Sequence, residues 1–354
     1  MGLLKGGFSF ARFHMDGKLP QDFLNFINKQ IKANSYRETQ KSTQEKQMGW
    51  VSLTDVLDAD FEQANYVLAD YLVFCLRIDR KLISPKLLKL KLMEEEKRYL
   101  AESGKNRINK QIAVGIKEKV SLELIQRQDA VPSFYDICWS LKHNTIYFSS
   151  LADKVADDFV ELFKKTFLLN LRRLLPQENL APAKNNESAE GVSLIGREFL
   201  TWLWFKSEER NGRITLNSGD EVELHLLKRI ALEAGEGEYA QGVVCSGIHA
   251  ELKEGKEAIR QGKKVKEAGI KLTYNQNEWE FIFKADTFDF QSLKLPVTDM
   301  PEAPEDPAGK LLERIYLMEN AAKIMDNLFA SFLSIRRSPP WEEELKRLAK
   351  WLEH

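Results

Sequence analysis

The residues that could perform chemistry in this chain are scattered along the sequence. A phosphate-binding loop needs closely spaced glycines, and the nearest candidate is Gly235-Glu236-Gly237. Glu236 and Glu238 would repel a phosphate there, so we expect a hairpin turn. The 5 histidines are far apart in the sequence, whereas a metal site needs ligands grouped in space. The sequence therefore predicts no cofactor and no metal site.

Two runs of consecutive carboxylates, Glu94–Glu96 and Glu342–Glu344, are the candidates for the metal ligands of a nuclease. Consecutive residues on a helix point in different directions, so each run is better explained as a solvated helix surface or as helix-start charge. The Gly-x-Ser-x-Gly turn of serine hydrolases is absent from the sequence. We therefore expect that the chain is not an enzyme, and a divergent metal-dependent nuclease stays as an alternative.

Basic side chains form the pattern that does suggest a function. Lysine and arginine bind DNA phosphates without reading the bases, and several basic runs with few nearby acids suggest one phosphate-facing surface. Each run taken alone is also typical of an ordinary solvated surface. The predicted DNA-binding residues are Lys86, Lys89, Lys91, Arg172, Arg173, Lys263, Lys264 and Lys266. Another basic run is Lys105, Arg107, Lys110, Lys117 and Lys119.

The predicted helices and strands position these runs. Ser84-Pro85 is a strong helix start, with Ser as N-cap and Pro in the first turn, and the first three lysines follow it. A second basic helix is predicted over residues 108–125. Arg172 and Arg173 follow a helix predicted over 151–167. The last three lysines follow a short charged helix over 250–261, at the start of a strand predicted over 264–274.

The remaining pattern indicates an α+β protein with mixed antiparallel sheets and flanking helices, because strands and helices alternate without regular βαβ units. We predict an elongated, multi-lobed monomer with an N-terminal half over 1–175, a linker over 176–190, a C-terminal half over 191–295 and C-terminal helices over 308–354. A weak likeness between residues 66–149 and 239–285 suggests an internal pseudo-repeat of strand, helical excursion, strand and hairpin. Further strands are predicted at 8–15, 66–79, 134–140, 144–149, 221–232, 239–245 and 278–285.

The helix predicted over 308–334 carries the most regular apolar stripe of the chain. Leu311, Ile315, Met318, Ala322 and Met325 recur at alternating steps of four and three residues. Such a stripe packs against its own domain or binds a partner. A protein-interaction scaffold acting through this helix is therefore a second functional hypothesis.

Composition sets limits on these hypotheses. The 52 Lys and Arg nearly cancel the 53 Asp and Glu, so a DNA-binding surface must be built by sorting charges onto different faces. Cys75, Cys138 and Cys245 are widely spaced and form no CxxC pair, which predicts small core residues in a reducing compartment. The N-terminal sequence lacks signal-peptide features, and no apolar run reaches the roughly 20 residues of a membrane span. We expect a cytoplasmic protein without membrane contact.

Several passages together resemble a known family. They are Met48-Gly49-Trp50-Val51, the strand that ends before Ile83-Ser84-Pro85, the segment Gly196–Trp204, and Gly262-Lys263-Lys264-Val265 leading into a hairpin. Their order and spacing resemble the recombination-associated protein RdgC family over about residues 8–330. The individual motifs are short, and their collinearity carries the resemblance.

The resemblance implies a nucleoid-associated protein that binds double-stranded DNA without sequence preference. It also implies a ring-shaped homodimer with a basic central hole, which restrains the recombinase RecA by occupying DNA, with no catalysis and no cofactor. This chain departs from the family pattern in two ways. It carries an extra proline-bounded helix after Arg337, and it has Gly247-Ile248-His249 where a basic or polar tip is expected.

Overall fold

The structure, a computed structural model, describes residues 2–38, 45–61, 66–175, 194–234, 242–246, 253–297 and 306–353. Within these residues the strands form one open 13-stranded sheet, and every pairing between its strands is antiparallel. Helices pack on this sheet, which confirms the predicted α+β class. The predicted linker over 176–190 lies outside the described residues.

The elements are numbered here in chain order. The strands are β1 (Phe8–Asp16), β2 (Lys46–Val51), β3 (Val67–Leu68), β4 (Tyr71–Arg80), β5 (Val131–Ser140), β6 (Thr145–Phe148), β7 (Asn170–Arg173), β8 (Arg213–Thr215), β9 (Glu221–Glu233), β10 (Gly242–Ser246), β11 (Lys264–Tyr274), β12 (Asn277–Lys284) and β13 (Asp289–Lys294). The helices are α1 (Phe23–Ala33), α2 (Pro85–Ser103), α3 (Lys110–Arg127), α4 (Asp153–Phe167), α5 (Ile195–Glu208), α6 (Lys253–Arg260), α7 (Pro307–Arg336) and α8 (Trp341–Glu353).

The strand β1 joins the two halves of the sheet. The strand order is β10-β9-β11-β12-β13-β1-β6-β5-β4-β2, with β3 paired to β4, β7 to β1 and β8 to β9. The start of β1 pairs with β13, where Phe10 lies opposite Phe290. Its later residues pair with β6 on one side and with β7 on the other, where His14 lies opposite Arg172. The first strand of the chain is therefore shared by elements from both halves.

The alternation of β1 side chains divides the interior into two cores on opposite faces of the sheet. Ala11, Phe13 and Met15 belong to a core covered by α1 and α4, here called the N-terminal core. Phe8 and Phe10 belong to a second core covered by α5 and α7, here called the C-terminal core. Each face of β1 is thus buried against a different layer of helices.

The sheet order changes the predicted pseudo-repeat in one respect. In the N-terminal half, β4 pairs directly with β5, the strand that follows the helical excursion of α2 and α3. In the C-terminal half, the strand before the excursion, β10, pairs with β9, and β9 pairs with β11. In the pseudo-repeat, β4 therefore corresponds to β9 and not to the strand predicted at 239–245.

The two C-terminal helices pack on the protein's own core. Thirteen residues of α7 are buried, among them Met318, Met325 and Phe329. The side chain of Asp326 on α7 accepts two hydrogen bonds from the buried Arg12 guanidinium of β1, at 2.7 and 2.9 Å. On α8, the carboxylate of Glu344 is only 2% exposed and accepts a hydrogen bond from the indole Nε1 of Trp202. The helix α7 is therefore fixed to the sheet by apolar burial and by the contact with Arg12, whereas α8 is fixed to α5 by the contact between Glu344 and Trp202.

Candidate nucleic-acid interface

The most distinct basic element is a helical arm over residues 84–127, formed by α2 and α3. It leaves the sheet after β4 and returns at β5, and its two helices pack against each other. The helix α2 begins at Pro85 as predicted and ends before Gly104, whose left-handed backbone (φ 64°) suits glycine. The side chain of Asn109 caps α3 by accepting a hydrogen bond from the Ile112 backbone N–H at 2.8 Å.

The arm is little involved in either core. No residue of α2 is buried, and on α3 only Val120, Leu124 and Ile125 are buried, all in its second half. The arm therefore projects from the sheet and is held at the end where α3 leads into β5.

The charge of the arm differs from that of the whole chain. Residues 84–127 contain eleven Lys and Arg against six Glu, a net formal charge of +5, whereas the whole chain has a net charge of -1. Three of these cations pair with a described carboxylate: Lys91 with Glu94, Arg98 with Glu95, and Lys119 also with Glu95. The remaining eight are exposed and form no ion pair with a described residue: Lys86, Lys89, Lys97, Lys105, Arg107, Lys110, Lys117 and Arg127.

The three predicted site residues on α2 therefore fall into two groups. Lys86 and Lys89 are exposed and unpaired within the described chain, whereas the Lys91 ammonium lies 2.7 Å from the Glu94 carboxylate. The groove between α2 and α3 has a mixed charge, because Glu94, Glu95 and Glu123 line it together with basic side chains. The outer surface of the arm is thus better suited to anions than the groove.

Arg172 and Arg173 lie on the short strand β7, which was predicted only as the end of a helix. The Arg172 guanidinium is half-exposed and lies 3.5 Å from the Asp16 carboxylate. Arg173 is mostly buried and forms ion pairs with Asp153 at 2.9 Å and with Asp289 at 2.7 Å. Arg173 thereby ties β7 to the first residue of β13.

The buried partner of Arg173 explains why this contact is structural. Asp289 is 1% exposed, and its burial raises the pKa of its carboxyl although Thr287 and Arg173 both favour the ionised form. A guanidinium that compensates a buried carboxylate is not available to a phosphate. The alternation of β7 explains why the two neighbouring arginines differ so much in exposure.

The lysines near the start of β11 are also largely paired. The Lys264 ammonium lies 2.8 Å from the Glu198 carboxylate, and that of Lys266 lies 2.9 Å from the Glu233 carboxylate. Lys263 forms no ion pair with a described residue. Of the eight predicted site residues, Lys86, Lys89 and Lys263 are thus the ones with a charge that is not compensated within the described chain.

The sheet register shows which predicted site residues lie close together. Arg172 lies opposite His14, and the pairings through β6 and β5 place it level with Tyr71 at the start of β4. The arm leaves from Arg80 at the other end of β4, nine residues or about 30 Å further along. Across β12 and β13, the pairings place Ala268 of β11 level with Phe10 of β1. Because β11 runs antiparallel to β1, Lys264 lies at the same end of the sheet as Arg172. The structure therefore brings β7 and β11 to one end and the arm lysines to the other.

The structure adds six exposed, unpaired arm cations to the two predicted on α2. Lys105, Arg107, Lys110 and Lys117 belong to a basic run that the sequence also displays, but they were not included among the predicted site residues. Lys97 and Arg127 lie outside that run, since Lys97 follows Glu94–Glu96 and Arg127 lies between Gln126 and Gln128. The arm also exposes four apolar side chains: Leu90, Met93, Val114 and Leu122.

Other features of the described residues bear on the alternatives. Cys75, Cys138 and Cys245 are free and buried on strands, as predicted, and burial raises the pKa of each thiol. Among the described residues, no three His, Cys, Asp or Glu side chains come together in an arrangement that could hold a metal ion. No helix within the described ranges combines the length and the apolar character needed to cross a bilayer. Both Gly235-Glu236-Gly237 and His249 lie outside the described residues.

The comparisons with known proteins add no relative. No protein-family model matches the chain, and no curated protein matches it.

Proposed function

We propose that this protein binds double-stranded DNA through its phosphate backbone, without sequence preference. The observation that carries the proposal is the helical arm, where eight exposed cations have no ion-pair partner within the described chain. The nearly neutral composition is compatible with this, because the charge is sorted: the arm has a net charge of +5 in a chain of net charge -1.

The mechanism is counterion release. Lysines and arginines replace the cations condensed on DNA phosphates, and the released cations make binding favourable at low salt. The ammonium of a lysine is a point charge that does not distinguish base pairs through phosphate contacts. The arm cations therefore support affinity without base readout.

The finer part of the proposal rests on the RdgC resemblance. On that basis the protein acts as a ring-like homodimer in the cytoplasm, associated with the nucleoid, and modulates homologous recombination by competing with RecA for DNA. A second copy would cover some of the exposed apolar side chains of the arm, which are Leu90, Met93, Val114 and Leu122. Lys263, Arg172 and the paired lysines of β11 would lie at the other end of each subunit.

The protein-interaction alternative has less support than DNA binding. The stripe on which it depends is buried in the C-terminal core, where Ile315, Met318 and Met325 are all fully covered. A partner could not reach these side chains in the folded chain.

A salt titration of DNA binding tests the proposal. Gel shifts on two unrelated duplexes, without divalent metal, should show similar affinities that fall steeply as salt increases. A flat salt dependence, or no shift at low salt, would contradict the proposal. A parallel series with Mg²⁺ or Mn²⁺ tests the nuclease alternative, because only a nuclease would shorten the DNA.

A further inference from the structure

A small apolar cavity lies between the C-terminal helix and the start of β11. Its volume is about 210 Å³, it opens to solvent, and it is bordered by α5, α8 and the turn from α6 into β11. The apolar walls are formed by Trp202, Ile259, Trp341, Leu345 and Leu348. The cavity exists because α8, the helix after Arg337, packs across α5 without filling the space beside the turn.

Most polar side chains of the cavity already have partners. The Thr201 hydroxyl donates to the Arg197 carbonyl at 2.8 Å and accepts from the Val265 backbone N–H at 3.3 Å. The Trp202 indole N–H donates to Glu344 at 2.9 Å. The Glu198 carboxylate is held by Lys264 at 2.8 Å. These groups therefore offer little to a ligand.

Two lining side chains have a polar group without a partner in the described part of the chain. They are the ammonium of Lys263 and the indole N–H of Trp341. Both groups can only donate hydrogen bonds, so the complementary ligand group is an acceptor. The charge of the lining favours an anion as well, because it contains two lysines, Lys263 and Lys264, and one carboxylate, Glu198.

We propose that this cavity binds a small apolar carboxylate, with its hydrocarbon part between α5 and α8 and its carboxylate at Lys263. The cavity is smaller than the roughly 300–1,000 Å³ of sites for drug-sized ligands, which fits a medium-chain fatty acid. The apolar walls contact the hydrocarbon chain of such a ligand, and the Lys263 ammonium forms a charge-assisted hydrogen bond with its carboxylate. The site does not depend on DNA binding, although Lys263 belongs to both proposals.

Calorimetric titration of the full chain with octanoate, in the absence of DNA, tests this proposal. We expect saturable binding of one octanoate per chain. Lys263→Met keeps an apolar stem without the charge, and it should weaken octanoate binding at least about tenfold. The matched control is Lys346→Met, which removes an exposed lysine of α8 and should leave binding unchanged. Because no DNA is present, a failure here leaves the DNA-binding proposal untouched.

Two further measurements locate the ligand. The neutral analogue 1-octanol should bind more weakly than octanoate to the native chain and be unaffected by Lys263→Met. Leu345→Trp, at a position that is 45% exposed, should fill the cavity and abolish binding of both ligands while the far-ultraviolet circular dichroism stays native. Absence of saturable octanoate binding, or octanoate binding that survives either Lys263→Met or Leu345→Trp in a folded chain, would overturn the proposal.

Discussion

The long helices α2 and α7 both carry many apolar residues, yet they have opposite roles in the structure. The 19 residues of α2 include none that is buried, whereas α7 buries thirteen of its 30 residues. The leucines of α2 are spread around the helix, while the apolar residues of α7 recur along one broad stripe. The helix α7 thus holds the fold together, whereas α2 exposes its side chains to solvent.

The largest expected effect is a difference in unfolding free energy between variants of α7 and of α2. Phe329 on α7 is 2% exposed and contacts the rings of Phe199 and Phe288. Phe329→Ala should lower the free energy of unfolding by about 3–5 kcal/mol, because it leaves a cavity in the core. Leu90→Ala on α2 removes a side chain that is 53% exposed and should change it by less than about 0.5 kcal/mol. Urea unfolding of both variants measures this difference, and equal losses would contradict the assigned roles.

A second prediction separates a buried ion pair from an exposed one on neighbouring residues of β7. Arg173→Gln removes a compensating charge from the buried Asp289 carboxylate and should cost about 2–3 kcal/mol at neutral pH. Arg172→Gln changes a half-exposed side chain and should cost less than about 1 kcal/mol.

The pH dependence of this difference identifies its cause. Without Arg173 the pKa of Asp289 in the folded state rises further above its ordinary value. The variant therefore loses most stability at pH values at which Asp289 is ionised in the unfolded chain. The loss caused by Arg173→Gln should therefore shrink as the pH falls and Asp289 becomes protonated. A loss that is independent of pH would show that the ion pair is not its source.

A smaller effect is expected at the docking of α8 on α5. Burial opposes the ionisation of Glu344, but hydrogen bonds from Lys206 and Trp202 outweigh it and lower the pKa of Glu344 below its ordinary value of 4.5. A lowered pKa gives stability that is present above the unfolded pKa and is lost as the pH falls through the folded pKa. The difference in unfolding free energy between the native chain and Glu344→Gln should therefore shrink as the pH falls below about 4.5. Urea unfolding between about pH 6 and pH 3 checks the sign, and a difference that grows toward low pH would contradict it.

Most of the fold follows from sequence patterns that act locally. The start of α2 at Ser84-Pro85 is confirmed, as are the strand at the N-terminus and the apolar stripe of α7. Proline in the first turn and periodic apolar residues account for them. Ser84 occupies the N-cap position, but its side chain forms no capping hydrogen bond with a described residue. The strand β13 was not predicted, although it joins β1 to the C-terminal half of the sheet. Its sequence, Asp289–Lys294, is short and lacks regular alternation. It pairs with the neighbouring strand β12 and with β1, which is distant in the sequence.

The candidate site was less predictable than the fold, because ion pairing depends on tertiary structure. Lys264 and Lys266 follow a basic pattern in the sequence, but their carboxylate partners lie on α5 and β9. No local rule reveals that Glu198 and Glu233 reach these lysines. In contrast, Lys86 and Lys89 stay unpaired in the described structure because the arm has few long-range contacts.

The central claim is that the arm, rather than basic residues in general, carries the DNA-binding charge. The most direct test compares the salt dependence of DNA affinity for two double variants. Lys86→Gln/Lys89→Gln removes two exposed arm cations, and Lys346→Gln/Lys350→Gln removes two exposed cations from α8. The arm variant should lower the slope of log affinity against log salt by about 0.9 for each phosphate that it no longer neutralises, whereas the control should keep the native slope. An unchanged slope for the arm variant, or an equal decrease in both variants, would contradict the account.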